Sequence, residues 1–175
     1  EIINRRQRMF SISRKLRRES KTVGFVPTMG ALHEGHLTLV KEARQMCDIV
    51  IVSIFVNPTQ FNNSIDLEKY PRDLTKDVGL LAEYEVDYVF APEEDEIYPK
   101  GFSTYVNVQN VTDGLEGESR PGHFRGVATI VTILFNTIRP DHAFFGQKDA
   151  QQVAVIKRLT TDLGFETEIV VVPTI

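Results

Sequence analysis

His33 and His36 close the stretch Pro27-Thr28-Met29-Gly30-Ala31-Leu32-His33-Glu34-Gly35-His36, which follows directly on the apolar run Val23–Val26. The pattern predicts a strand that runs into a Gly-containing loop and then an amphipathic helix, with Leu37, Leu39, Val40, Ala43 and Met46 as its apolar positions. Such a loop sets two imidazoles beside the unpaired N–H groups and positive dipole end of a helix, surroundings that favour a polyanion. A histidine there can donate to phosphate oxygens and stabilise charge on a departing one. His-x-Gly-His therefore suits ATP, and adenylyl transfer in particular. The zinc-peptidase pattern does not fit, because these histidines are three apart and at a helix start. Cys47 is the single cysteine and no Cys-x-x-Cys occurs, which argues against structural zinc. The plainer reading is a capped turn with two exposed histidines, and the density of the combination after a strand favours phosphate binding over it.

Two further clusters could join this one. Gln60 lies in Asn57-Pro58-Thr59-Gln60-Phe61, where a neutral amide can both donate and accept, as a hydroxy acid requires. A loop amide bonding its own backbone accounts for it equally well. In Gly146-Gln147-Lys148-Asp149 the lysine is a point charge for phosphate, and Asp149 either caps the next helix or meets a ribose hydroxyl. Gln151 and Gln152 follow in the first helical turn, so at least one can face the same cleft. Arg120-Pro121-Gly122-His123-Phe124-Arg125 reads as a solvated loop, or as a lid carrying cations.

The elements that must position these residues alternate. Ile49–Phe55 is a continuous apolar run, as in a parallel strand buried on both faces. A helix is expected over Leu74–Tyr84, a strand over Val86–Ala91, and a two-sided, antiparallel strand over Thr104–Val108. Asp113–Gly126, with four glycines and Pro121, reads as a mobile loop. Helices over Val127–Thr137 and from Asp149 to Leu163 should enclose a strand at Ala143–Phe145, and Glu166–Val172 ends the series. The sum is an α/β fold: a doubly wound, Rossmann-like parallel sheet with helices on both faces. Ligands of such sheets bind beyond the carboxyl ends of the strands, where all three clusters fall.

With 175 residues and 42% hydrophobic composition, the chain fits one domain with one good core. No apolar run is long enough to span a bilayer, and Glu1–Arg6 lacks the apolar region of a signal peptide. One cysteine fits a reducing cytoplasm. Net charge is −4, but residues 1–21 hold eight basic residues against Glu1 and Glu19. Ile2, Ile3, Met9, Phe10, Ile12 and Leu16 supply a face to bury there, so a solvated basic helix is expected and nucleic-acid binding is not. Asp48, Asp87 and the acidic turn Glu93–Glu96 read as surface charge.

Pro27–His36, Phe55–Phe61, Arg120–Phe124 and Phe145–Asp149, taken in order along nearly the whole chain, resemble the pantoate–β-alanine ligase family. The first motif alone would point only to the wider nucleotidyltransferase superfamily. The resemblance implies a two-step ligation with ATP and Mg²⁺, through pantoyl adenylate, in a cytoplasmic homodimer. It implies that Met29, Gly30, Ala31, Leu32, His33, Glu34, Gly35 and His36 contact ATP, with His36 as catalytic acid and His33 on the phosphates. Gly146, Gln147, Lys148 and Asp149 would contact ATP as well, Lys148 at its phosphates. Gln60 and Gln152 would bind pantoate, with β-alanine beside Gln60. A glycine-rich lid over 113–126 would shelter the acyl adenylate.

Members of the family continue into a smaller C-terminal domain with a Ser-Ser-Arg-Asn-type phosphate motif near the junction, where this sequence reads Val172-Pro173-Thr174-Ile175. Ser11-Ile12-Ser13-Arg14-Lys15 stands in the wrong order to replace it and reads as helix surface. Residues 1–175 thus resemble the N-terminal nucleotide-binding domain, expected to bind ATP and pantoate and to ligate poorly alone. Another adenylyltransferase, or a nucleotide-binding module without catalysis, are the competing readings.

Overall fold

In the computed structural model, which describes residues 1–111 and 122–173, β1 (Ile2–Ile3), β2 (Val23–Thr28), β3 (Ile49–Ile54), β4 (Tyr88–Phe90), β5 (His142–Gly146) and β6 (Glu168–Val172) form one sheet. The spatial order is β1-β4-β3-β2-β5-β6 and every pairing is parallel. From β2 the chain winds outward through β3 and β4, then returns to lay β5 on the other side of β2. The doubly wound topology is therefore as expected, with its switch point between β2 and β5.

The helices are α1 (Arg6–Arg18), α2 (Glu34–Met46), α3 (Ser64–Lys69), α4 (Leu74–Ala82), α5 (Glu94–Ile97), α6 (His123–Ile138) and α7 (Ala150–Asp162), with a 3-10 turn at Pro58–Gln60. Successive strand residues point to opposite faces, so each strand feeds two cores. Phe25, Ile51, Ala143 and Phe145 pack with Met9 and Leu16 of α1, Val131 and Leu134 of α6 and Ile156 of α7. Val26, Val50, Val52 and Phe144 pack with Leu37, Val40 and Ala43 of α2 and Leu81 of α4.

Within this sheet β2 and β3 pair along all six residues, but β2 meets β5 only at Gly24 and Phe25. Val23 bonds on the β5 side, donating to the Asp141 carboxylate and accepting from the Asp141 N–H. Alternation places Phe25 and Pro27 on that same side, and Pro27 has no N–H to continue the ladder. The two central strands part there, and a crevice opens at their carboxyl ends.

Several expectations are corrected. Ile2 and Ile3 form an edge strand beside β4 instead of extending the basic helix. Thr104–Val108 is not a strand: the Val106 N–H donates to Thr129 Oγ1 (2.9 Å), so its backbone is satisfied by α6. Of the expected mobile loop, 113–121 lies outside the described residues, while Gly122–Gly126 caps and begins α6. The lid reading, with Arg120 and Pro121, therefore falls largely outside the described residues. Asp87 is structural, accepting from Val50 N–H and Arg44 Nη1 (both 2.8 Å), and Glu96 accepts from Arg6 N–H (2.7 Å) at the start of α1. Ser13 is buried, its hydroxyl donating to the Ile138 carbonyl (2.8 Å).

The basic helix behaves as expected. Met9, Ile12 and Leu16 are buried while Arg8, Arg14, Arg17 and Arg18 face solvent. Met9→Ala should therefore lower the unfolding free energy by about 2–5 kcal/mol in denaturant titration. Lys15→Ala, on the wet face, should change it by less than about 0.5 kcal/mol.

Candidate active site

The loop leaving β2 turns through two left-handed residues, Gly30 (φ 81°) and Ala31 (φ 51°). Thr28 begins the turn: its hydroxyl donates to the Ser53 carbonyl (2.8 Å) and accepts from the Gly30 N–H (3.1 Å). Ala31 would resist this conformation, since a Cβ crowds the carbonyl in the left-handed region. Asp77 holds it there. Its two carboxylate oxygens accept from the Ala31 and Leu32 N–H groups, each at 3.0 Å, and the residue is 3% exposed. The sequence reading passed over Asp77. Its position four residues before Leu81, on the buried side of α4, is the pattern that could have revealed it.

At the N-terminus of α2 the histidines cap the helix reciprocally. His33 Nδ1 accepts from the Gly35 N–H (3.0 Å), and His36 Nδ1 accepts from the His33 N–H (3.2 Å). The capped turn is compatible with a phosphate site, because a neutral imidazole that accepts at Nδ1 carries its proton at Nε2. Both rings, 4.2 Å apart, keep an Nε2–H for a ligand. Burial, reinforced by His33 and opposed by the Asp77 charge, holds His36 down from 6.5 to about 4. Without a ligand, His36 is a neutral donor at pH 7.

Two adjoining cavities meet around His36. One, of about 220 Å³, is lined by Met29, Asn57, Gln60 and Gln152, with an apolar wall that includes Val131 and Leu134. The other, of about 510 Å³, is lined by His33, Glu34, Gly35, Gly146, Lys148 and Asp149. Pro27, His36, Phe145, Asp149 and Gln152 belong to both. The three sequence clusters therefore form one crevice at the strand ends. Gly30, Ala31 and Leu32 line neither cavity and turn toward Asp77. Gln147 also lines neither, its N–H bonding the Val172 carbonyl (3.0 Å). Asp149 occupies the cap position of α7 without making a side-chain cap bond, so its carboxylate is not consumed by the helix. Of the two glutamines in that turn, Gln152 faces the crevice, while Gln151 donates to the Val111 carbonyl (3.2 Å).

Gln60 does not bond its own backbone through its side chain. Its Oε1 accepts from Asn57 Nδ2 (2.9 Å), which also donates to the Gly126 carbonyl (3.1 Å). Tyr98 donates to Asn57 Oδ1 (2.5 Å), and burial pushes its phenol up to about 12. His123, expected in a loop, is buried in the first turn of α6, with Nδ1 donating to the Gln60 carbonyl (3.0 Å). Arg125 points away, stacked over Tyr105 at 4.6 Å. Sequence reasoning gave Asn57 no separate role and overlooked Tyr98. Among the described residues no group of three or more His, Cys, Asp or Glu could hold a metal ion, and no helix is long and apolar enough to cross a membrane.

Two consequences are measurable. Above pH 6.5 His36 is neutral both folded and unfolded. As pH falls toward 4 the unfolded chain binds a proton that the folded chain refuses, so stability is lost across that window and the loss is complete near the lower end. Replacing His36 with Gln should remove on the order of 2 kcal/mol of that acid-side loss, read as the difference between variants in urea unfolding at pH 7 and pH 4.5. At Gly126 an added Cβ would lie 2.6 Å from the Thr59 carbonyl oxygen and 2.7 Å from the Gln60 nitrogen. Gly126→Ala should therefore displace the Pro58–Gln60 turn, cost about 1–3 kcal/mol, and shift the Gln60 side-chain amide resonances.

The sequence model for pantoate-beta-alanine ligase matches residues 1–175. The pantothenate synthetase of Heliobacterium modesticaldum is 56% identical over 172 residues, 98% of this chain and 61% of that protein. That of Carboxydothermus hydrogenoformans is 59% identical over 159 residues, covering 90% of this chain and 56% of its own. The crystal structure of the Francisella tularensis pantoate-beta-alanine ligase, complexed with beta-gamma ATP and beta-alanine, matches with a TM-score of 0.96 at 45% identity, over 99% of this chain and 67% of that one. Residues 1–175 thus span about three-fifths of the length of such relatives. With its sheet order, its paired histidines and this likeness along its whole length, the chain belongs to the pantoate–β-alanine ligase family.

Proposed function

We propose that residues 1–175 bind ATP and pantoate for the condensation of pantoate with β-alanine to pantothenate. The meeting at His36 of an amide-lined, apolar-walled cavity with one lined by His33, Lys148 and the N-terminus of α2 carries this reading. The Francisella relative, complexed with beta-gamma ATP and beta-alanine, supports it. A pantoate carboxylate held by Gln60 and Gln152 would face the α-phosphorus of ATP held across the N-terminus of α2. Carboxylate oxygen attacks phosphorus, the bond to the bridging oxygen breaks, and pyrophosphate leaves with that electron pair. The amine of β-alanine then attacks the acyl carbon, AMP departs, and the surplus amine proton passes to solvent or a nearby base.

His36 and His33 supply Nε2–H donors to the phosphates, and bound polyanion raises His36 toward its protonated form, which stabilises charge as it develops. Lys148 serves as a point charge on the same oxygens, and Asp149 is placed for a ribose hydroxyl. Mg²⁺ would come in with the nucleotide phosphates, with Glu34 and Asp149 as the carboxylates that line the same cavity, where the described residues offer no group of three or more His, Cys, Asp or Glu that could hold a metal ion. It would supply charge neutralisation on the phosphates. The resemblance also implies a cytoplasmic homodimer. Residues 1–175, about three-fifths of the length of the relatives, are proposed to bind both substrates.

Calorimetric titration of pantoate, with and without ATP–Mg²⁺, tests the reading. Gln60→Ala and Gln152→Ala should each weaken pantoate about tenfold, as loss of a paired buried polar contact does. ATP binding with no pantoate binding would overturn the substrate assignment.

A further inference from the structure

A side-chain amide has two ends of similar shape, and its partners decide which end is which. The Gly126 carbonyl has lone pairs only, so the Asn57 atom facing it at 3.1 Å is Nδ2. The opposite end, Oδ1, receives the Tyr98 hydroxyl at 2.5 Å and the Thr59 hydroxyl at 3.0 Å. The second Nδ2 proton goes to Gln60 Oε1 at 2.9 Å. Asn57 is 1% exposed, so a flipped amide would set carbonyl against carbonyl with no water to intervene. Tyr98 is itself held by edge-on packing against Phe102 (4.9 Å) and by contact with Phe55 (6.1 Å).

We infer that Gln60 meets its ligand as a hydrogen-bond donor through Nε2, and that Tyr98 and the Gly126 carbonyl, acting through Asn57, set this polarity. Tyr98 is then a positioning residue, and the cavity accepts an oxygen with lone pairs at that point while refusing an ammonium or amide donor. This rests on the reading of pantoate as ligand and extends it: an acid bearing acceptor oxygens is admitted beside Gln60, and the ammonium of β-alanine is turned away from that spot.

Pantoate titrations of Gln60→Glu and Gln60→Ala at pH 7.5 test the polarity. Glutamate keeps an oxygen for Asn57 but turns an acceptor toward the cavity. It should weaken pantoate at least about tenfold more than alanine does. Glutamate binding as well as alanine, or better, would overturn the inference. Tyr98→Phe keeps the ring and removes only the donor. It should weaken pantoate about tenfold, leave ATP affinity within about twofold, and speed hydrogen exchange of the Asn57 side-chain amide in the ligand-free protein. Unchanged pantoate affinity and exchange would remove Tyr98 from the relay. If the unaltered chain binds ATP but no pantoate, the substrate reading fails, while the Asn57 exchange comparison still decides the relay.

Discussion

The crevice depends on a missing hydrogen bond. β2 is the central strand, paired on both sides, and a proline in such a strand is ordinarily disfavoured because it withdraws a ladder donor. Here Pro27 lies on the side facing β5, and the pairing with β5 has ended by that residue. On the other side the ladder to β3 continues through Pro27↔Ser53 and Thr28↔Ile54. One neighbour therefore stays attached while the other diverges. Pro27 and Phe145, on the two parting strands, both line the space that results.

Around that opening, the groups that line the crevice are held by contacts behind them. Asp77 is a buried carboxylate whose partners are two backbone N–H groups, which makes its burial affordable and pins the left-handed Ala31. The pinned turn delivers His33 to the cap position of α2, and reciprocal capping consumes the Nδ1 of each ring. The Nε2 side of each ring is thereby left for the crevice that both residues line. Low basicity of His36 follows from burial first and from His33 second, with Asp77 pulling the other way. A neutral His36 adds no charge to repel His33 across the 4.2 Å between the rings.

Helix α6 has a comparable part on the other wall. Its first turn offers a carbonyl at Gly126, an imidazole at His123 and a surface without a Cβ, and the Pro58–Gln60 turn seats directly on these. Gln60 is thereby carried by a helix that follows it by more than sixty residues. A three-residue turn has little intrinsic rigidity, so its precision comes from this docking and from the Tyr98–Asn57 contact.

Much of this was legible in the sequence. The apolar runs at Val23–Val26 and Ile49–Phe55, with helices between, specify a parallel sheet, because strands buried on both faces must be apolar throughout. The histidine pair, Gln60, Lys148, Asp149 and Gln152 were recognisable from residue type and position after a strand, since chain direction places such loops at one edge of the sheet. Thr104–Val108 misled because alternation records one buried face and says nothing of what pairs with the backbone, which Thr129 here does. Asp87, Glu96 and His123 misled for the same reason: a polar residue reads as solvated until a distant partner is known. By itself, then, the sequence determined the central alternation of strands and helices, the family, and which side chains gather at the crevice, all of which follow from local pattern. Only the tertiary structure decided the parting of β2 from β5, the grip of Asp77, the neutrality of His36 and the direction of the Gln60 amide. Each of these depends on groups far apart in the chain, and hydrogen-bond polarity and desolvation exist only once those groups are brought together.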